Sequence, residues 1–201
     1  MELRNLPDII RNALAERIGV SIKGSDPSYR QSAVLIPIFH TDGEYRILFT
    51  KRTNNLDVHR GQISFPGGSV DKTDASPEET ALREAYEEIG LRREDVTVLG
   101  RTDDARTMTS KYIVHPFVGL IPYPYDFRIS QREVERLIEV PFRVFLPDGK
   151  SDKILPIEYE GGTYTSLSYV YEGEVIWGAT ARIMKNFIEI LSEKLGLPAQ
   201  G

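Results

Sequence analysis

Residues 33–39 read Ala-Val-Leu-Ile-Pro-Ile-Phe, apolar at every position. Successive side chains of a strand point to opposite faces of its sheet, so such a run belongs to a buried strand. Pro37 lacks an amide hydrogen and predicts an edge or a bulge there. Asp42-Gly43 follows as a hairpin signal. Residues 45–50 return as the next strand, and residues 51–64 form a polar, irregular loop of the kind that carries function.

Helical spacing flanks this hairpin. Leu6, Ile9, Ile10, Ala13, Leu14 and Ile18 predict a short amphipathic helix. A second helix starts near residue 76, where Ser76 is the N-cap, Pro77 takes the first turn, Glu79 completes a Ser-x-x-Glu capping box and Gly90 is the stop. Its predicted core side is Leu82, Ala85, Tyr86 and Ile89, with Glu84, Glu87 and Glu88 on a separate acidic face. Residues 96–100, 113–121, 153–159 and 164–171 read as strands, with Gly161-Gly162 turning between the last two. Residues 130–140 read as a short helix capped by Ser130-x-x-Glu133, and 178–195 as a terminal helix with Ala181, Met184, Phe187, Ile188 and Leu191 inside. Strands irregularly interleaved with helices predict an α/β layered domain with a mixed sheet.

Composition sets the outer bounds. The chain has 201 residues, 40% hydrophobic, enough for one domain over 1–201 in which 1–20 is a helical extension. A net charge of −5 disfavours a nucleic-acid surface. Without cysteine there is no disulfide or thiol chemistry. No apolar run approaches the roughly 20 residues of a membrane span, and Glu2 and Asp8 do not suit a signal peptide. A cytoplasmic location is the expectation. The first helix packs on its own domain or on a second subunit, so a homodimer is compatible with the sequence.

The chemistry concentrates in the second helix. Glu84, Glu87 and Glu88 crowd about a single helical turn, and like charges at that spacing repel. A bare pair of glutamates is ordinarily a solvated helix face; a divalent cation is the functional alternative. Carboxylate oxygens without His or Cys suit Mg²⁺ or Mn²⁺, ions that complete their shells with water and substrate phosphates. Arg83 stands four residues before Glu87 and can orient it. Gly67 and Gly68 permit close backbone approach, where a carbonyl could add a ligand. Water attack on a phosphoanhydride is the natural reaction.

The span Gly68–Leu91 resembles the Nudix box, Gly-x5-Glu-x7-Arg-Glu-U-x-Glu-Glu-x-Gly-U, with U a bulky aliphatic residue. Arg83, Glu84, Glu87, Glu88, Gly90 and Leu91 match, and Ala85 is a smaller residue at the first U. Asp74 stands where the early Glu is expected, and Gly68 to Arg83 is one residue longer than the pattern. Upstream, Thr50, Arg52, Gly61, Phe65, Pro66, Gly67 and Gly68 match a motif similar to that of coenzyme A diphosphatase-type Nudix hydrolases. Thr53 replaces a Ser of that motif, and Asp57 stands where it has a second Arg.

The resemblance implies an α/β/α sandwich and a metal-dependent hydrolase of small nucleoside diphosphate derivatives. Implied metal ligands and catalytic residues are Glu84, Glu88 and Glu87, with Arg83 orienting them. Implied substrate contacts are Arg52, His59, Gly61, Gly67 and Gly68. For coenzyme A the implied products are 3′,5′-ADP and 4′-phosphopantetheine. The acid at position 57 keeps ADP-ribose or a dinucleotide open as substrates. The catalytic base is Glu84 or Glu133, the latter otherwise explained as a helix cap. Tyr112, Tyr123 and Tyr125 are candidates to stack on adenine, and His115 reads as structural.

Overall fold

The computed structural model describes residues 3, 5–22, 26–53, 61–107, 110–147, 152–159 and 161–197. In chain order its elements are α1 (Leu6–Ala15), β1 (Arg30–Thr41), β2 (Glu44–Arg52), β3 (Ile63–Ser64), β4 (Gly67–Ser69) and α2 (Pro77–Ile89). There follow β5 (Thr97–Arg101), β6 (Ala105–Arg106), β7 (Tyr112–Leu120), β8 (Val134–Pro141), β9 (Asp152–Tyr159), β10 (Gly162–Tyr171), β11 (Glu174–Trp177) and α3 (Gly178–Leu195).

The main sheet is mixed, in the order β3-β2-β1-β7-β5, with β4 added on β1, β6 on β7 and β8 on β2. β1 and β7 run parallel from the pair Arg30–Tyr112 to the pair Ile38–Leu120; the remaining pairs of this sheet are antiparallel. Asp42 and Gly43 turn the β1–β2 hairpin with φ of 49° and 79°, the two positive values a tight primed turn requires. α2 covers one face, burying Leu82, Ala85 and Ile89 against Ala33, Leu35, Phe39 and Leu48. α1 and α3 cover the other, where Leu6, Ile10 and Leu14 meet Met184, Phe187 and Leu191 together with Ile36, Ile38 and Phe49. The result is a three-layer α/β architecture with a mixed sheet. The smaller sheet, β11-β10-β9, joins the α3 side through buried Tyr169 and Ile176. Among the described residues no helix is long and apolar enough to cross a membrane.

Three expectations change. Pro37 lies in a central strand, paired with Gly119 of β7. The Leu35 amide donates away from β7, to Pro66 O at 2.9 Å, and position 37 faces the same way. There β1 changes partner from β4 (through Val34) to β2 (from Ile38), so no ladder bond is lost to the proline. Residues 134–141 are strand β8, not helix: the Ser130 carbonyl closes one turn with Glu133 and Val134, and the chain then pairs with β2 from Arg52 to Arg46. Finally, α1 ends at Ala15 and leaves Ile18 97% exposed, so the apolar spacing outruns the helix. α1 packs on its own chain.

α2 itself is specified locally. Ser76 Oγ accepts from the Glu79 amide at 3.2 Å, and Gly90 ends the helix in the left-handed region at φ 69°. The Glu79 side chain pairs with Arg93, so that half of the capping box is spent elsewhere. Ser76→Ala is expected to cost about 1 kcal/mol in urea unfolding, the usual value of one N-cap.

Candidate active site

α2 and β4 meet across two glycines. Gly68 pairs with Ala33 of β1, and a Cβ on Gly68 would lie 2.5 Å from Glu84 Cδ. A Cβ on Gly67 would lie 2.4 Å from the Ala33 carbonyl oxygen. Both contacts are far inside van der Waals range, so glycine at 68 lets the Glu84 carboxylate lie directly on the strand and glycine at 67 lets β4 lie against the β1 backbone. The Gly67 amide donates to Glu88 Oε2 at 3.3 Å. Gly67 therefore contributes an N–H where the sequence suggested a carbonyl.

Arg83 is the organising cation. Its Nε and Nη2 donate to the two oxygens of Asp74 at 2.9 and 3.0 Å. Nη1 donates to Glu84 Oε1 at 2.9 Å and Glu87 Oε2 at 3.1 Å, and Nη2 reaches the Ser69 carbonyl at 3.1 Å. The Asp74 side chain is 5% exposed and also accepts from the Asp71 amide and from Thr80 Oγ1. The Arg83 hydrogen bonds hold its carboxyl far below the usual aspartate range. Asp74 thus anchors Arg83, a role legible in the sequence only as a departure from the box. The extra residue lies in the stretch between Asp74 and Arg83, and the bidentate pair forms across it.

Glu88, expected on an acidic face apart from the buried one, is 3% exposed, whereas Tyr86, expected in the core, is 58% exposed. The helix is rotated so that its acidic residues enter the interface with β4. Burial pushes the Glu88 carboxyl up to about 8; the nearby Arg52 opposes this, and the charges of Glu133 and Glu84 add to it. Arg52 Nη1 stands 3.9 Å from Glu88 Oε1, while its Nε is buried without a hydrogen-bond partner among the described residues. The Glu84 carboxyl is raised too, first by burial and then by the charges of Glu87 and Glu133, against the pull of Arg83.

Glu133 reaches this site from outside the helix. The Ser130 amide donates to the Glu88 carbonyl at 2.8 Å and the Thr53 amide to the Glu133 carbonyl at 3.0 Å, tying the turn before β8 to both α2 and β2. With β8 a strand, Glu133 caps no helix.

Four carboxylates, Glu84, Glu87, Glu88 and Glu133, therefore share one patch with two guanidinium groups. Among the described residues no three His, Cys, Asp or Glu side chains already converge on a point. Arg83 and the Gly67 amide hold the carboxylates in place. The donor chemistry fits a hard divalent cation: all oxygen, two carboxylates desolvated, and mutual repulsion that a double charge would relieve. Glu84 and Glu88, one turn apart, could hold it, with Glu87 (side chain 53% exposed) assisting.

Other sequence candidates separate. Arg52 is at the site, and Gly61 lies just before β3 with φ 63°. His59 and Asp57 lie outside the described residues. Tyr112 packs under Arg30 at 4.5 Å, Tyr123 stacks on Phe39 at 4.4 Å, and the Tyr125 hydroxyl donates to Asp95 at 2.8 Å, so all three already have partners within the fold. The His115 ring nitrogens lie 2.8 Å from Asp104 Oδ1 and 2.8 Å from Gln31 Oε1, a structural placement.

A NUDIX domain family model matches residues 29–152. The chain is 39% identical over 158 residues to the uncharacterized Nudix hydrolase NudL of Escherichia coli K12, covering 79% of this chain and 81% of that one. NudL of Shigella boydii matches at the same 39%, with the same coverage. Among solved structures, the Nudix hydrolase RenU of M. smegmatis aligns with a TM-score of 0.53 at 16% identity, covering 86% of this chain and 89% of that one. A NUDIX hydrolase from Nitrosomonas europaea gives 0.52 at 15% identity, covering 88% and 78%. These two structures share the fold.

Proposed function

The chain belongs to the Nudix family, and on that premise we propose that it hydrolyses the diphosphate bond of coenzyme A or an acyl-CoA. The products are 3′,5′-ADP and (acyl-)4′-phosphopantetheine. A Nudix hydrolase acts on a nucleoside diphosphate joined to another group. The observation that carries the narrower reading is the upstream run from Thr50 to Gly68, which delivers Arg52 and the Gly67 amide to Glu88 and sets Gly68 against Glu84.

A divalent cation, Mg²⁺ or Mn²⁺, held by Glu84, Glu88 and Glu87 would activate water and neutralise charge developing on the phosphates. Around it this chain's own groups divide the work. Arg83, locked by Asp74, keeps Glu84 and Glu87 in position. Arg52, whose Nη1 makes only a long 3.9 Å contact to Glu88, would turn its guanidinium to a substrate phosphate. Glu133 or Glu84 takes the proton from the attacking water. The water oxygen bonds to one phosphorus, the bridging P–O bond breaks, and the bridging oxygen leaves with the other phosphate.

Asp57, standing where the upstream motif has Arg, favours a second reading: an ADP-ribose or dinucleotide diphosphatase using the same groups. The test is incubation with CoA, ADP-ribose and NADH, each with Mg²⁺, Mn²⁺ or EDTA, with products identified by mass spectrometry. Metal-dependent 4′-phosphopantetheine and 3′,5′-ADP, with CoA preferred, is the expected result. Preferred cleavage of either other substrate replaces CoA with it. Absence of turnover with all three points to a nucleotide-sensing module.

A further inference from the structure

The C-terminal end of α2 and the segment after β7 enclose a cavity of about 640 Å³ that the chemistry above leaves unused. Its walls include Tyr86, Glu87, Arg92, Tyr125 and Arg128. The volume lies within the roughly 300–1,000 Å³ typical of small-molecule sites. It adjoins the catalytic patch directly, because Glu87 both lines it and bonds Arg83.

The walls are fixed by the fold. The Arg128 amide donates to the Ile89 carbonyl at 2.9 Å, and a Cβ on Gly90 would lie 2.9 Å from Arg128 Cβ, so loop and helix end are in close contact. The Tyr125 hydroxyl donates to Asp95 Oδ2 at 2.8 Å and accepts from the Arg92 amide at 3.0 Å. Two rigid elements are thus joined while the space between them stays unfilled.

The chemistry of the lining selects a ligand. Tyr86 is 58% exposed on a helix whose other large apolar residues are buried, which leaves an aromatic ring at the cavity wall. Arg92 donates Nε to Asp95 at 2.8 Å and lies beside the Tyr125 hydroxyl, with its side chain 59% exposed at the mouth of the cavity. The Arg128 side chain is 84% exposed, and its acidic neighbour Asp126 is 3.9 Å away and itself 92% exposed. Glu87, the other acid of the lining, is already engaged by Arg83. An aromatic face beside two solvent-exposed guanidinium groups suits a nucleobase carrying a phosphorylated ribose.

We propose that this cavity binds the 3′-phosphorylated adenosine end of the substrate, with Tyr86 against the base and Arg92 and Arg128 on the ribose phosphate. The assignment rests on the diphosphatase reading and adds the origin of its specificity. The direct test is calorimetric titration of the metal-free protein in EDTA with 3′,5′-ADP and with 5′-AMP. The 3′-phosphate is expected to improve affinity about 10-fold or more. Arg128→Ala should erase that difference; being exposed, it should leave the melting temperature unchanged. Tyr86→Ala should weaken both nucleotides about 10-fold through lost stacking. In turnover, Arg128→Ala should raise KM for CoA but not for dephospho-CoA, with kcat unchanged. Equal affinities for the two nucleotides, or an unchanged preference in Arg128→Ala, overturns the assignment. If CoA is not cleaved but the Arg128-dependent preference is present, the cavity assignment stands and the CoA reading falls. If CoA is cleaved without that preference, only the cavity assignment fails.

Discussion

Glu88→Gln is expected to cut kcat by about 10²–10³-fold or more while stabilising the metal-free protein at neutral pH. The loss follows from removing one charged oxygen donor from a site built to stabilise developing charge. The stabilisation follows from burial. Glu88 is 3% exposed and its carboxyl is pushed up to about 8, against an ordinary value of 4.5. Below pH 4.5 the group is protonated folded or unfolded and contributes no pH dependence. As pH rises from 4.5 towards 8, the unfolded chain releases the proton and the folded chain keeps it, so folded stability falls across that window. At pH 7 the penalty is about 3 kcal/mol, at about 1.4 kcal/mol per unit. Gln occupies nearly the same volume, still accepts the Gly67 amide and carries no such penalty. Thermal melts in EDTA from pH 5 to 8 should show the native protein losing stability relative to Glu88→Gln. Adding Mg²⁺ or Mn²⁺ should stabilise the native protein preferentially. Glu84→Gln should likewise abolish turnover under either substrate reading. Full activity in Glu84→Gln or Glu88→Gln would remove that residue from the metal site.

Asp74→Ala carries the second large effect and the opposite pH signature. Asp74 receives both Nε and Nη2 of Arg83 and two further donors while 5% exposed. Removing it leaves those donors unpaired. Breaking a fully buried pair costs about 3–5 kcal/mol, and because the Arg83 side chain is 28% exposed the expected cost here is nearer 2–3 kcal/mol. The folded carboxyl titrates below the ordinary 3.8, so its contribution is present above that value and disappears as pH falls through the folded one. Chemical denaturation should show a deficit in Asp74→Ala at pH 7 that narrows steadily below pH 4. Arg83, released from its anchor, no longer holds Glu84 and Glu87 in register, and kcat should fall about 10–100-fold. A variant with unchanged stability and unchanged kcat would remove Asp74 from both roles.

The features read correctly from sequence are those whose causes lie within a few residues. Asp42-Gly43 turned a hairpin because both positions adopt positive φ. Ser76 and Gly90 bound α2 because helix ends need local partners for their free amides and carbonyls. Ala181, Met184, Phe187, Ile188 and Leu191 formed the inner stripe of α3, all buried. The errors arose where a distant segment outweighed a local preference. Ser130-x-x-Glu133 carries a real turn signal, but the following Val134, Ile138 and Val140 gain a partner strand in β2 and bury on the sheet. The short strands β3, β4 and β6 span two or three residues and leave almost no periodic trace.

The acidic set, its basic neighbour Arg83 and the glycine pair before them were determined by the sequence, because residue type and spacing alone put those groups on one helix and one turn. Which of those groups is buried was decided only by the tertiary structure. Helical spacing places Tyr86 and Glu88 about 200° apart, on opposite flanks of the stripe formed by Leu82, Ala85 and Ile89, and hydrophobicity assigned Tyr86 to the core. β4 instead lies close on β1 because Gly67 has no Cβ and close on α2 because Gly68 has none, which encloses Glu88 and leaves Tyr86 at the surface. Glu133 and Arg52 reach the Glu88 carboxylate from segments whose paths depend on contacts far away in the chain. No local pattern encodes those paths, so their placement emerges only when the sheet and its helices pack together.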